Sequence, residues 1–338
     1  MRTSHSSIAR AKFVGRALLR ACAAIALYAL IVPAQAVTYT VFDVPGATAT
    51  FAVGINNAGV IAGYHYTAAP GTTQHGFVRA ADGTFSLFEP HGSIWMRVAG
   101  INENGQVVGT FEDKHLTNYA FIRSPNGHIL TVPGPRGAYG LGINGQGDIC
   151  GYSYEVDNSV HGFVRTADGT FSEFDPPGSF FTEALAINDD GSAVGFFEDA
   201  HSALNGFLRK ADGTVEVVNI SGSGATVPTS INADGIIAGT YLAGDGYRFF
   251  IRYSADRYAG FSSNAANAVI NDATEVAGDA YRHGERFRSI LREPEGKIKS
   301  IKLPGAYSVE AAGINNGGAI VGTFENRDFV RHGFLRTP

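Results

Sequence analysis

Apolar positions along this chain fall in short runs, broken every few residues by Asn-Gly, Asp-Gly or Pro-Gly. Beyond the N-terminal leader no stretch holds a helical apolar period over a useful length. Segments such as Gln106–Phe111 are instead rich in β-branched residues, the mark of strands. Residues 95–136 show the pattern once through. A strand is predicted over Val98–Ile101, then the turn Asn102-Glu103-Asn104-Gly105, a second strand over Gln106–Phe111 and a polar loop over Glu112–Asn118. A third strand, Tyr119–Arg123, and the turn Pro125-Asn126-Gly127 lead to a fourth, His128–Val132. Four short strands joined by such turns make an antiparallel meander.

The pattern recurs. Ile-Asn followed by a turn stands at Ile55, Ile101, Ile143, Ile187, Ile231, Ile270 and Ile314, at intervals of 46, 42, 44, 44, 39 and 44 residues. A Gly stands seven places after each Asn, from Gly63 to Gly322. Four-stranded repeats of this length predict an all-β, seven-bladed β-propeller with four antiparallel strands per blade. The seventh unit stops at Pro338 after three strands, while Thr38–Val44 resembles a fourth strand and precedes the first unit. Joining them predicts a last blade closed by the N-terminal strand, which removes both open sheet edges.

The motifs also carry a resemblance. Gly54-Ile55-Asn56, His75-Gly76-Phe77-Val78-Arg79 and Asp82-Gly83-Thr84-Phe85, with close copies at His161–Arg165 and Asp168–Phe171, resemble the bacterial extracellular repeats of the HAF family over essentially all of the chain after the leader. The resemblance implies a secreted or cell-surface protein and no catalytic residue. The fifth and sixth units depart from it: Phe249-Phe250-Ile251-Arg252 and Ser289-Ile290-Leu291-Arg292 lack His-Gly.

Residues 1–36 read as a secretory signal peptide. Arg2, Arg10, Lys12, Arg16 and Arg20 precede the apolar run Ala21–Val32, and Ala34-Gln35-Ala36 fits a signal-peptidase site. That run falls short of the ~20 residues that span a bilayer. One domain, residues 37–338, follows, so the protein is expected in the periplasm or outside the cell. Cleavage removes five positive charges and no negative ones, taking the formal charge from −5 to −10. An acidic chain lacks the basic footprint that nucleic acid or an anionic membrane surface requires. No later run predicts a membrane span, and a monomer is expected. Of the two cysteines, only Cys150 lies beyond the leader, at a position where other units carry small apolar residues. A buried thiol is expected there, without an intrachain disulfide.

The repeated Asn, Gly and Arg are read as structural. The Asn serves its turn, the Gly lets sheets approach, and the Arg bridges turn carbonyls and carboxylates such as Asp82. Binding chemistry is expected where the repeats disagree, on the face formed by the second-to-third strand loops and the links between blades. That face carries Glu112, Asp113 and His115, then Glu198, Asp199 and His201, then Glu325 with Asp328. The links add His91, Trp95, Tyr139, Phe180, Phe181 and Tyr307. Aromatic faces beside carboxylates suit a glycan, a peptide or a protein partner. Paired carboxylates also leave room for a hydrolase or lyase, and a structural cell-surface role is the third reading. No cofactor motif is present and no metal site is expected, since Asp-rich calcium loops are absent.

Overall fold

The computed structural model describes residues 36–68, 74–244, 246–262, 264–280 and 287–338. The expected signal, in residues 1–35, lies outside the described residues.

Among the described residues the chain forms 28 strands and no helix. They fall into antiparallel groups of four. The second unit comprises Ser93–Ile101, Val107–Asp113, Asn118–Arg123 and Ile129–Val132, paired in that order. Two neighbouring groups are joined into one eight-stranded sheet by a single parallel pair, Val160 with Phe181. The remaining group is built from both ends of the chain. The strand Thr38–Phe42 runs antiparallel to Arg331–Thr337, with Thr38 opposite Thr337 and Phe42 opposite Gly333.

The first strand of each group is Ala47–Ile55, Ser93–Ile101, Gly137–Ile143, Ser179–Ile187, Thr226–Ile231, Ala265–Ile270 or Ser308–Ile314. Each touches the first strand of the next group, and Ser308–Ile314 touches Ala47–Ile55. The repeated Asn follows the same order. Its side-chain amide donates to the backbone carbonyl of the next Asn: Asn56 to Asn102, Asn102 to Asn144, Asn144 to Asn188 and Asn188 to Asn232. Asn232 donates to Asn271, Asn271 to Asn315, and Asn315 back to Asn56. The side-chain oxygen meanwhile accepts the N–H four residues on, as Asn188 does from Ser192 at 3.0 Å. One residue type thus closes its own turn and ties it to the next, which is why it recurs in every unit.

The repeated Gly answers a contact within the sheet rather than between sheets. Six first strands carry an irregularity near their end, for example between Ala52 and Gly54. A carbonyl there comes so close that a Cβ on Gly63 would lie 2.0 Å from the Phe51 oxygen, and one on Gly151 1.7 Å from that of Tyr139. Where the last strand of the preceding group carries an aromatic, the repeated Arg stacks on it: Arg79 over Phe42 at 4.9 Å, Arg123 over Phe88 at 5.0 Å and Arg209 over Phe174 at 5.2 Å. Its guanidinium also donates to turn carbonyls, as Arg165 does to Thr166 at 3.2 Å. Asp82 is engaged instead within its own turn, accepting the N–H and hydroxyl of Thr84.

Core clusters lie between adjacent groups. Phe42, Val44 and Val321 of the chain-end group pack against Ala52, Ile61 and Phe77 of the first. The His of His-Gly-Phe pairs with a carboxylate just past the last strand of its own group: His75 with Glu89 at 3.1 Å, His332 with Asp43 at 2.8 Å, and His161 with Asp175. Cys150 is fully buried, its thiol pushed up to about 12 by burial, and it contacts the Ala184 carbonyl.

Candidate functional site

Each first strand carries one position, opposite the residue that follows the repeated Gly, at which the units vary in size and charge, Glu alone recurring. It is occupied by Phe51, Arg97, Tyr139, Glu183, Val227, Asn267 and Glu310. Around several of these lies a cavity of about 480 Å³, lined among others by Trp95, Arg97, Tyr139, Tyr152, Glu183 and Asn267. First strands run from the link face towards the Ile-Asn turns, so the Trp95 end of the cavity is on the link side.

One wall is aromatic. Tyr139 stacks on Tyr152 with ring centres 4.5 Å apart and planes 9° from parallel. Phe181 continues the wall, 6.2 Å from Tyr152 and 6.1 Å from Phe196. Offset stacking of this kind holds rings rigid and presents π faces and C–H edges to a ligand. Burial raises the Tyr152 phenol, as does the nearby Glu183 carboxyl, while Arg97 acts in the opposite sense. Burial also raises Tyr139. Both phenols therefore stay protonated at neutral pH and can donate hydrogen bonds.

Charged groups face the same space. Burial pushes the Glu183 carboxyl up to about 7, because a half-buried carboxylate loses hydration that nothing replaces. Among the described residues Glu183 accepts no side-chain hydrogen bond and Arg97 has no ion pair. The Asn267 amide likewise has no partner there. Glu310, at the corresponding position of the last group, differs: Arg331 lies 3.5 Å from it and also reaches Glu325 at 3.3 Å and the Phe51 ring at 5.5 Å.

A second cavity of about 380 Å³ adjoins the Ile-Asn turns at the other end of the first strands. Its acids are engaged: Glu103 accepts Asn57 N–H at 2.9 Å, Asp189 accepts Gly145 N–H at 2.7 Å, and Asp272 accepts Ala233 N–H at 3.0 Å. In the first cavity, among the described residues, Arg97, Glu183 and Asn267 keep side-chain hydrogen-bonding capacity unspent.

The residues expected from sequence divide by place. Trp95 and Tyr139 line the cavity, and Phe181 backs its aromatic wall. All three lie within first strands, which begin earlier than the sequence pattern predicts, so they are not link residues. Glu112 stands opposite Trp95, and Glu198 opposite Phe181, in the strand pairing. Asp113 is committed to its turn, its oxygen accepting His115 N–H at 2.9 Å and Thr117 N–H at 3.0 Å. Asp199 does the same with His201 and Ala203, and Asn326 with Asp328 and Val330. Those backbone donors hold Asp113 and Asp199 below the usual carboxylate range. His115, His201 and His91 sit on exposed turns, and Phe180 is 77 % exposed. Tyr307 packs edge-on to Phe329 at 5.4 Å. No group of three His, Cys, Asp or Glu with metal-holding geometry occurs among the described residues, nor does any helix long and apolar enough to cross a membrane.

Sequence reasoning passed over Arg97, Tyr152, Glu183 and Asn267. For Arg97, Glu183 and Asn267 the available signal is the polar or charged residue at one register position of the first strand.

No family model matches the chain, and no curated protein matches it by sequence. Solved structures do resemble it. A catalytically inactive variant of virginiamycin B lyase from Staphylococcus aureus, solved with quinupristin, gives a TM-score of 0.60 at 17% identity, covering 90% of this chain and 100% of that one. The β-propeller domain of the Trilobed protease from Pyrococcus furiosus, described as having an open velcro topology, gives 0.64 at 10% identity, covering 86% and 94%. A lectin from Burkholderia pseudomallei gives 0.55 at 11% identity, covering 86% and 98%. At these identities the likeness concerns the fold, which is that of a β-propeller.

Proposed function

We propose that this chain is an exported, HAF-type β-propeller of seven blades, closed by the strand Thr38–Phe42, and that it acts as a monomeric binding domain whose site is the cavity around Tyr139 and Glu183. One observation supports the binding reading: the repeated Asn and most acids are paired, whereas Arg97, Glu183 and Asn267, all lining one cavity, have no side-chain partner among the described residues. Pre-formed cavities of ~300–1,000 Å³ lined by aromatics and a few convergent polar groups are the usual form of a small-ligand site. The seven-blade count and closure are supported by the return of the Asn hydrogen bonds to Asn56 and by the pairing of Thr38–Phe42 with Arg331–Thr337.

The fold does not choose between binding and turnover, since a lyase and a lectin share it. A specific observation favours the second reading, a hydrolase or lyase: Glu183 holds its proton up to about pH 7 inside a cavity, which suits acid–base work. Glycan and peptide arrays probed with the wild type and with Trp95→Ala and Glu183→Ala variants test both. Binding lost in Trp95→Ala supports the cavity. Binding unchanged in both variants moves the site elsewhere. A substrate bound by Glu183→Ala but turned over only by the wild type identifies an enzyme.

A further inference from the structure

Among the described residues Arg97 is the one Lys or Arg lining this cavity, and its exposed side chain has no carboxylate partner there. Its cross-strand neighbour Thr110 does not occupy it, because the Thr110 hydroxyl accepts the Gly140 N–H at 3.2 Å. An unpaired guanidinium presents a planar fork of donors that matches a carboxylate. Two residues earlier on the same strand, Trp95 lines the same cavity, and the rigid Tyr139–Tyr152 stack stands on the neighbouring strands. Aromatic faces of this kind pack on the C–H faces of a sugar ring. The remaining open polar groups, the Glu183 carboxyl and the Asn267 amide, each both donate and accept hydrogen bonds when Glu183 is protonated, as adjacent sugar hydroxyls require.

Resting on the binding reading above, we propose that the ligand is a uronic acid, a sugar ring bearing a carboxylate, as a free unit or as the end of a short glycan. Arg97 takes the carboxylate, Trp95 and Tyr139 pack on the ring, and Glu183 and Asn267 bond its hydroxyls. Burial is what makes Glu183 compatible with an anionic ligand. At pH 6 its carboxyl is mostly protonated and sets no full negative charge beside the bound carboxylate. The cavity volume matches one or two sugar units rather than a folded partner.

The test is calorimetric titration at pH 6 of the purified protein with the methyl glycosides of glucuronic, galacturonic and mannuronic acid, alone and as the acid disaccharides. Methyl glucoside, methyl galactoside, methyl mannoside and sodium acetate serve as controls. At least one uronide is expected to bind tenfold or more tightly than its neutral counterpart, with acetate weaker still. Arg97→Ala should bring the uronide down to the affinity of its neutral counterpart, a loss of tenfold or more. Glu183→Gln, which keeps a donor and an acceptor, should retain the preference for the uronide over its neutral counterpart, whatever its effect on affinity for both. Thermal midpoints no lower than that of wild type establish that both variants fold; should Arg97→Ala fail to, Arg97→Gln replaces it. Equal affinity for acid and neutral sugars, or a preference that survives the loss of Arg97, overturns the uronide assignment. So does failure of every uronide to bind. If a neutral glycan or peptide then binds in a Trp95-dependent way, the cavity reading survives that failure. If no ligand of any class depends on Trp95, both fall.

Discussion

Replacing Asn188 by alanine removes one link of the asparagine circuit, and the structure sets the size of the loss. Asn188 is 5 % exposed. Its amide donates to the Asn232 carbonyl at 3.1 Å and its oxygen accepts the Ser192 N–H at 3.0 Å. The two losses differ. The Asn232 carbonyl keeps a second donor, the Gly235 N–H at 3.0 Å, so it forfeits a net hydrogen bond worth about 1 kcal/mol and is not orphaned. The partly buried Ser192 N–H loses its side-chain acceptor, at a further cost of about 1 kcal/mol. The expected destabilisation is therefore about 2 kcal/mol, read as a lower urea midpoint at unchanged slope. Asp190→Ala, an exposed change in the same turn, should stay within about 0.5 kcal/mol of wild type. An Asn188→Ala midpoint equal to that of the Asp190 control would refute the reasoning that the repeated asparagine is a structural tie.

Three further outcomes are expected. Thr274 occupies the turn position that glycine fills in other units and sits at φ +65°, where a β-branched residue is strained. Thr274→Gly should raise stability by about 1 kcal/mol in urea unfolding, the strain outweighing glycine's greater unfolded-state entropy, and a loss of stability would contradict this. A Cβ on Gly333 would lie 2.5 Å from the Phe42 ring, so Gly333→Ala should destabilise by roughly 1–3 kcal/mol and recover part of that when combined with Phe42→Leu; purely additive losses would sink the proposed clash. Glu183 binds its proton more tightly folded than unfolded, so its effect is nil well below pH 4.5, and the destabilisation builds as pH rises from there and is complete above about 7. Glu183→Gln should therefore gain thermal stability over wild type at pH 8 but not at pH 4, and a pH-independent difference would count against a buried carboxyl.

Much of the fold is legible because its determinants are local. Asn-x-x-Gly turns such as Asn102–Gly105 combine a side-chain acceptor with a left-handed glycine, and either feature is readable from residue type. The matching fragments at the two chain ends are legible for the same reason. The start of each first strand is not. In Ser93–Ile101 the cavity face carries Trp95 and Arg97, a mixture that matches neither a core face nor a solvent face, so apolar alternation finds only its last residues. The acidic turns mislead for a different reason. Asp113 looks like an available carboxylate until the left-handed Leu116 (φ 62°) folds two N–H groups onto its oxygen, and Asp199 repeats this with Ser202 at φ 60°. Glu183 and Asn267 carry no motif. Their meaning depends on which polar groups end without partners, and that is decided only when seven strands are brought together.

Six first strands, from Ala47–Ile55 to Ala265–Ile270, contribute residues to the cavity, and the pairing of the chain ends is central to the ring proposed to hold them. Native-state hydrogen exchange tests it most directly. Amides of Thr38–Phe42 that face the strand Arg331–Thr337 are predicted to exchange as slowly as those of their partner strand, through the same global opening. Rapid exchange of Thr38–Phe42, with Arg331–Thr337 still protected, would contradict closure by the N-terminal strand.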